Sequence, residues 1–199
     1  MKRLALFLAA ICVSPFSAHA IDVGAPAPAF IAQDAAGKPI ALAQLRGKVV
    51  VLEWTNNGCP FVGHMYASGV MQQLQRQASS DGVVWLTVIS SAHGKQGYLD
   101  GPGVRAWKSR TGAAPADVLL DPTGALGHAY DARTTPDMFV IDPAGRLVYA
   151  GAIDDTPSTR PEDAKTARNY VVLALQALRA GRPISPDLTK SYGCSVKYS

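Results

Sequence analysis

Cysteine is scarce in this sequence: three residues in 199. None is followed by another at the C-x-x-C interval, and no Cys/His spacing resembles a zinc site, so a zinc finger, zinc ribbon or dithiol helix motif is excluded. Charge of either sign is also thin. The formal net charge is +4, with the basic residues scattered, which argues against nucleic-acid binding or electrostatic attachment to an acidic membrane. Internal repeats and low-complexity tracts are absent. Beyond the first twenty residues no run approaches the ~20 apolar residues of a membrane helix.

What is present begins with an address. Lys2 and Arg3 precede the apolar run Leu4 to Val13, and Ala18-His19-Ala20 supplies a small-x-small cleavage site. This is the layout of a secretory signal peptide, with cleavage expected after Ala20 and a periplasmic or secreted product without a membrane anchor. Cys12 lies in the discarded segment. Two cysteines then remain, Cys59 and Cys194, in a compartment that permits disulfides. Residues 21–181 form the expected domain and 182–199 a polar tail.

Two continuous apolar runs, "KVVVLEW" (48–54) and "VVWLTVI" (83–89), have the length and β-branched content of buried strands. Between them Val62, Tyr66, Val70, Leu74 and Ala78 recur every fourth residue, predicting one amphipathic helix from Pro60 to Ala78. Its polar face would carry His64, Ser68, Gln72 and Arg76. Residues 90–103 read as a glycine-rich loop, 104–110 as a short helix and 118–120 as a strand. "MFVID" and "RLVYA" flank a turn and predict a hairpin. A final helix is expected from Pro161 to Gly181. The order predicts an α/β fold: a mixed sheet with helices on both faces.

Cys59 stands where the first strand gives way to the helix, after the turn residues Asn56-Asn57-Gly58 and before Pro60. Proline suits the first helical position, which puts Cys59 at the N-cap. The partial positive charge and free N–H groups there favour a thiolate, the nucleophilic form of cysteine. With Cys194 the residues leave two readings open, a reactive pair or a fixed bond pinning the tail.

"EWTNNGCPFV", "WLTVISSAHGKQGY", "TTPDMFVIDPAGRLVYAGAIDD" and "YGCSVKY" together resemble the exported redoxins of thioredoxin-like fold, a group including peroxiredoxin-like and thioredoxin-family proteins. The resemblance covers roughly residues 24 to 198. It implies thiol–disulfide exchange with protein or small-molecule partners and no cofactor. Cys59 matches the first cysteine of the thioredoxin pair. Thr135-Pro136 matches the cis-proline beside the reactive sulfur, and Glu53 matches a buried proton-transfer acid. Val62 stands where the second cysteine belongs, so Cys194 is the remaining candidate to resolve a mixed disulfide with Cys59. Trp54 could shield the site.

Peroxide is a second substrate class. However, a peroxiredoxin's Pro-x-x-x-Thr-x-x-Cys is not met: Leu52 and Asn56 hold the proline and threonine places, Thr55 is one residue off, and the nearest arginine is Arg133. The third reading is a non-catalytic protein with a structural Cys59–Cys194 bond. His64 and His128 are expected on the solvated surface, and Asp154 and Asp155 in a solvated loop. His93 and Lys95 lie in the glycine-rich loop, which could roof the site. A copper site would need Met65 and His128 to converge with Cys59, and no metal is expected.

Overall fold

The computed structural model describes residues 21–199; the expected signal segment and Cys12 lie outside the described residues. Nine strands and six α-helices follow in order: β1 (Ile31–Asp34), β2 (Pro39–Ala41), β3 (Val50–Trp54), α1 (Pro60–Ala67), α2 (Val70–Ser80), β4 (Val84–Ile89), α3 (Gly101–Thr111), β5 (Asp117–Leu120), α4 (Ala125–Ala129), β6 (Thr134–Thr135), β7 (Asp137–Ile141), β8 (Leu147–Gly151), α5 (Pro161–Thr166), α6 (Tyr170–Arg179) and β9 (Cys194–Ser195). Seven strands form one mixed sheet in the order β2-β1-β5-β4-β3-β7-β8. β3, β4 and β5 run parallel, joined by helical crossovers, and β7–β8 is the expected hairpin.

Alternation along β3 divides the core into two layers. Val51 faces α1, α2, α3 and α6, joining Val62, Met65, Trp85, Trp107, Val171 and Ala174. Val50, Leu52 and Trp54 face the other way, toward Leu126 and Tyr130 around α4, and Phe139. Glu53 shares the face of Val51, so its carboxyl enters the layer beneath α1 and α2, where apolar side chains surround a small polar group of Tyr66, Gln75 and Thr87.

Two predicted helices are each broken in two. The first stops at Ser68, and Gly69, at φ +82°, starts a second segment in a new direction. A left-handed residue cannot continue an α-helix, and glycine adopts that conformation at no steric cost. The last helix breaks at Ala167 to Asn169, so Ala167 ends α5 with extended backbone rather than adding to a continuous stripe. There the chain pairs with residues 153–155: Tyr170 N–H donates to Ile153 O at 2.9 Å, and Arg168 N–H to the Asp155 carboxylate at 3.0 Å. Asn169 then caps α6 through Val172 N–H.

His64 and Gln72 are buried, not solvated. The face that looked polar on an isolated helix is covered. Gln72 donates to the carbonyls of Tyr66 and Thr111. His64 is on α1, which packs against α5, and neither ring nitrogen has a hydrogen-bond partner among the described residues. Asp154 is likewise buried, whereas Asp155 is exposed as expected.

Candidate active site

Asn56 builds the turn that presents Cys59. Its side-chain oxygen accepts Gly58 N–H at 2.8 Å and its carbonyl accepts Cys59 N–H at 3.0 Å. From above, Gln96 donates to the Gly58 carbonyl at 3.1 Å, and its own carbonyl accepts from the Asn56 amide at 3.3 Å. The glycine-rich loop therefore does roof the turn, but through Gln96; His93 and Lys95 are exposed. Gly97 makes the approach possible, since a Cβ there would stand 2.4 Å from the Asn56 side chain.

Cys59 is the N-cap of α1, with Pro60 behind it, and is 1% exposed. The Thr135–Pro136 peptide is cis, and the Thr135 carbonyl accepts the Cys59 S–H at 3.2 Å. The tail completes the site. β9 lies antiparallel to β6 with Cys194 opposite Thr135, the residue whose carbonyl holds the Cys59 thiol, so the two free thiols stand close enough to influence each other's ionisation. A tail 135 residues distant in sequence and without apolar periodicity is thus fixed beside the helix N-terminus.

The two thiols differ in acidity. Burial opposes ionisation of Cys59, but the polar groups of Cys194 and Thr135 and the backbone of Val62 and Cys194 favour it more, and its pKa lies below the ordinary value. Burial and the neighbouring Cys59 sulfur with its charge push Cys194 up to about 11.

Glu53 is fully buried on the same side of the sheet. Tyr66 O–H donates to one carboxyl oxygen at 2.8 Å. Trp85 Nε1–H at 2.8 Å, Gln75 Nε2–H at 3.0 Å and Thr87 O–H at 3.0 Å donate to the other. Burial raises its pKa despite these four donors. Among the described residues no hydrogen bond joins Glu53 to Cys59; Tyr66 lies on the helix that Cys59 caps. Trp54 points into the opposite layer, where it packs on Tyr130 and Phe139 and donates to Ser90 at 3.0 Å, so it does not shield Cys59.

Asp137, next after Pro136, has no place in the sequence reading. It accepts the Arg133 backbone N–H at 3.1 Å, and burial pushes its pKa up to about 7. An acid inside an apolar strand beside a proline was the available signal. Tyr192, which donates to Asp154 at 2.5 Å, was hidden in the tail. His128 is exposed, as expected, but stacks on Tyr198 at 4.1 Å. Among the described residues no group of His, Cys, Asp and Glu is arranged to hold a metal ion.

Residues 23–150 match the model of the AhpC/TSA family. The chain belongs to the AhpC/TSA family. A thiol-disulfide oxidoreductase, ResA, of Bacillus subtilis is 25% identical, over 73% of this chain and 80% of its own length. A hypothetical protein from Sinorhizobium meliloti superposes with a TM-score of 0.78 at 25% identity, covering 91% of this chain and 97% of that one. The exposed lipoprotein thioredoxin of Streptococcus pneumoniae gives a TM-score of 0.52 at 25% identity over 76% of this chain and 98% of its own. The fold of this AhpC/TSA member is thioredoxin-like.

Proposed function

We propose that the protein is an exported thiol–disulfide exchange catalyst in which Cys59 attacks and Cys194 resolves. The Cys59 thiolate attacks one sulfur of a substrate disulfide, forming a mixed disulfide and releasing the first substrate thiolate. Cys194 then attacks the Cys59 sulfur, forming the Cys59–Cys194 bond and releasing the second. Two protons and two electrons leave the protein dithiol, and the substrate becomes two thiols. Once Cys59 is tied in the mixed disulfide its charge is gone, so a cause of the high Cys194 pKa disappears at the step that needs a thiolate. Thr135 and Pro136 position the substrate backbone, and Glu53 assists proton movement through Tyr66.

The observation that carries this reading is the placement of two free thiols of opposed acidities at one spot: Cys59 on a helix N-terminus, bonded to the Thr135 carbonyl, and Cys194 opposite Thr135 on the strand paired with it. Peroxide reduction has less support, because Arg133 is exposed and paired with Asp131 at 2.7 Å. The deciding measurement is the reduction potential in glutathione buffers, read by mass after thiol trapping. A value between about −120 and −270 mV is expected. A value below about −300 mV would make the bond a structural staple.

A further inference from the structure

The tail does more than carry Cys194 to the site. Upstream, Ala150 N–H donates to Asp187 O and Thr189 N–H to Ala150 O, both at 3.0 Å, and the Tyr192 ring meets Phe61 edge-on at 5.9 Å. Downstream, Val196 N–H donates to Arg133 O at 3.0 Å, Ala92 N–H to Lys197 O at 2.8 Å, and Tyr198 O–H to Ala132 O at 2.7 Å. Cys194 is therefore tied down on both sides. Among the described residues β9 is the only strand paired with β6. Gly193 passes so close that a Cβ would stand 2.1 Å from the Thr135 carbonyl, at a φ of +123°.

This arrangement is what an extended polypeptide substrate would need. A segment paired with β6, with a cysteine opposite Thr135, delivers its sulfur to Cys59; backbone hydrogen bonds to a strand edge are a general way of holding extended peptides. The chain's own tail already lies in that place and leaves Cys59 buried.

We propose that residues 193–196 are an internal competitor for the substrate's place on β6, so that the tail sets specificity: it admits segments able to pair with the edge and displace it. The proposal rests on disulfide exchange at Cys59. When a substrate segment takes the edge, Cys59 exchanges into its disulfide and expels the first thiolate. The tail then reseats, which removes the substrate strand and brings Cys194 onto the Cys59 sulfur. Because the tail is part of the same chain, its return is an intramolecular event with a high effective concentration.

The test uses the full chain in a Cys194→Ser background, where the mixed disulfide accumulates, with and without Gly193→Ala. Three probes are compared by mass of the Cys59 adduct: bis(2-hydroxyethyl) disulfide; a peptide of residues 191–199 with its cysteine held as a mixed disulfide with 2-mercaptoethanol; and that peptide N-methylated at the position of Val196. Gly193→Ala should unseat the tail and raise the peptide rate about tenfold, and N-methylation, which removes one hydrogen bond, should lower it about fivefold. Tyr198→Ala loosens the tail from its other end and should act in the same direction. Thermal melts check that each variant is folded. If the small disulfide labels Cys59 but the peptide rate ignores both variants and the N-methyl group, the competitor proposal is overturned and exchange stands. If no probe labels Cys59 in any folded variant, exchange itself fails and takes the proposal with it.

Discussion

Asp137 and Glu53 show how single residues acquire their chemistry. Both are acids on strands, and both are pushed toward neutrality by burial. Asp137 also lines a groove of about 560 Å³ with Tyr130, Arg133, Phe139, Leu188 and Lys190. A carboxyl group whose folded-state pKa is raised stabilises the fold below its unfolded value, near pH 4, and that contribution is lost as pH rises through the folded value, about 7. Asp137→Asn keeps an acceptor for Arg133 N–H but cannot ionise. Its stability relative to the parent should therefore rise between pH 5 and 8, as read by denaturant unfolding across that range. A constant difference would mean that Asp137 does not titrate there. At this scale the sequence was informative where a residue's role depends on its immediate neighbours. Cys59 next to Pro60 read correctly as an N-cap. His64 and Asp154 did not read correctly as surface groups, because their burial is decided by α5 and by Tyr192 from the tail.

At the scale of elements, the strands were legible because buried parallel strands are continuous apolar runs, and the β7–β8 turn was legible from Pro143-Ala144-Gly145. Helix continuity was not. The fourfold spacing of Val62 to Ala78 persists through Ser68 and Gly69, but a sequence pattern does not show that Gly69 adopts positive φ. The break between α5 and α6 depends on backbone pairing with residues 153–155, which no local pattern encodes. The short helix α4 was missed altogether. Its first N–H groups are held by Asp121, which accepts from Leu126 N–H at 3.2 Å and Gly127 N–H at 2.9 Å. Asp121 forms the turn after β5, its carbonyl accepting Gly124 N–H at 3.0 Å, and it also anchors the helix beyond the turn. For α6 the cap is specific: Asn169 accepts Val172 N–H at 3.0 Å. Asn169→Ala should cost about 1 kcal/mol of stability, seen as a lower denaturant midpoint with unchanged slope.

For the whole molecule, the sheet brings the N-terminal third and the last residues of the chain to one spot. The loop closed between Cys59 and Cys194 would span roughly 135 residues, long enough that the chain-entropy model assigns a bond there about 4–5 kcal/mol. Oxidised protein should therefore unfold at higher denaturant than reduced protein by about that amount, provided the bond forms without strain. Equal midpoints would show that forming the bond disturbs the fold as much as it constrains the unfolded chain. This coupling could not be read from the sequence. The tail has no periodicity, and its place is set by contacts with residues 92, 132–135 and 150, each from a different part of the fold.

The seating of residues 193–198 also has a consequence in time. They are synthesised after every other element described, yet they supply the second thiol and the cover over the first. Until they arrive, Cys59 lacks both its neighbouring thiol and the strand that covers it. On the proposed reading, a nascent protein held up before residues 193–198 are made would therefore be less selective than the finished fold.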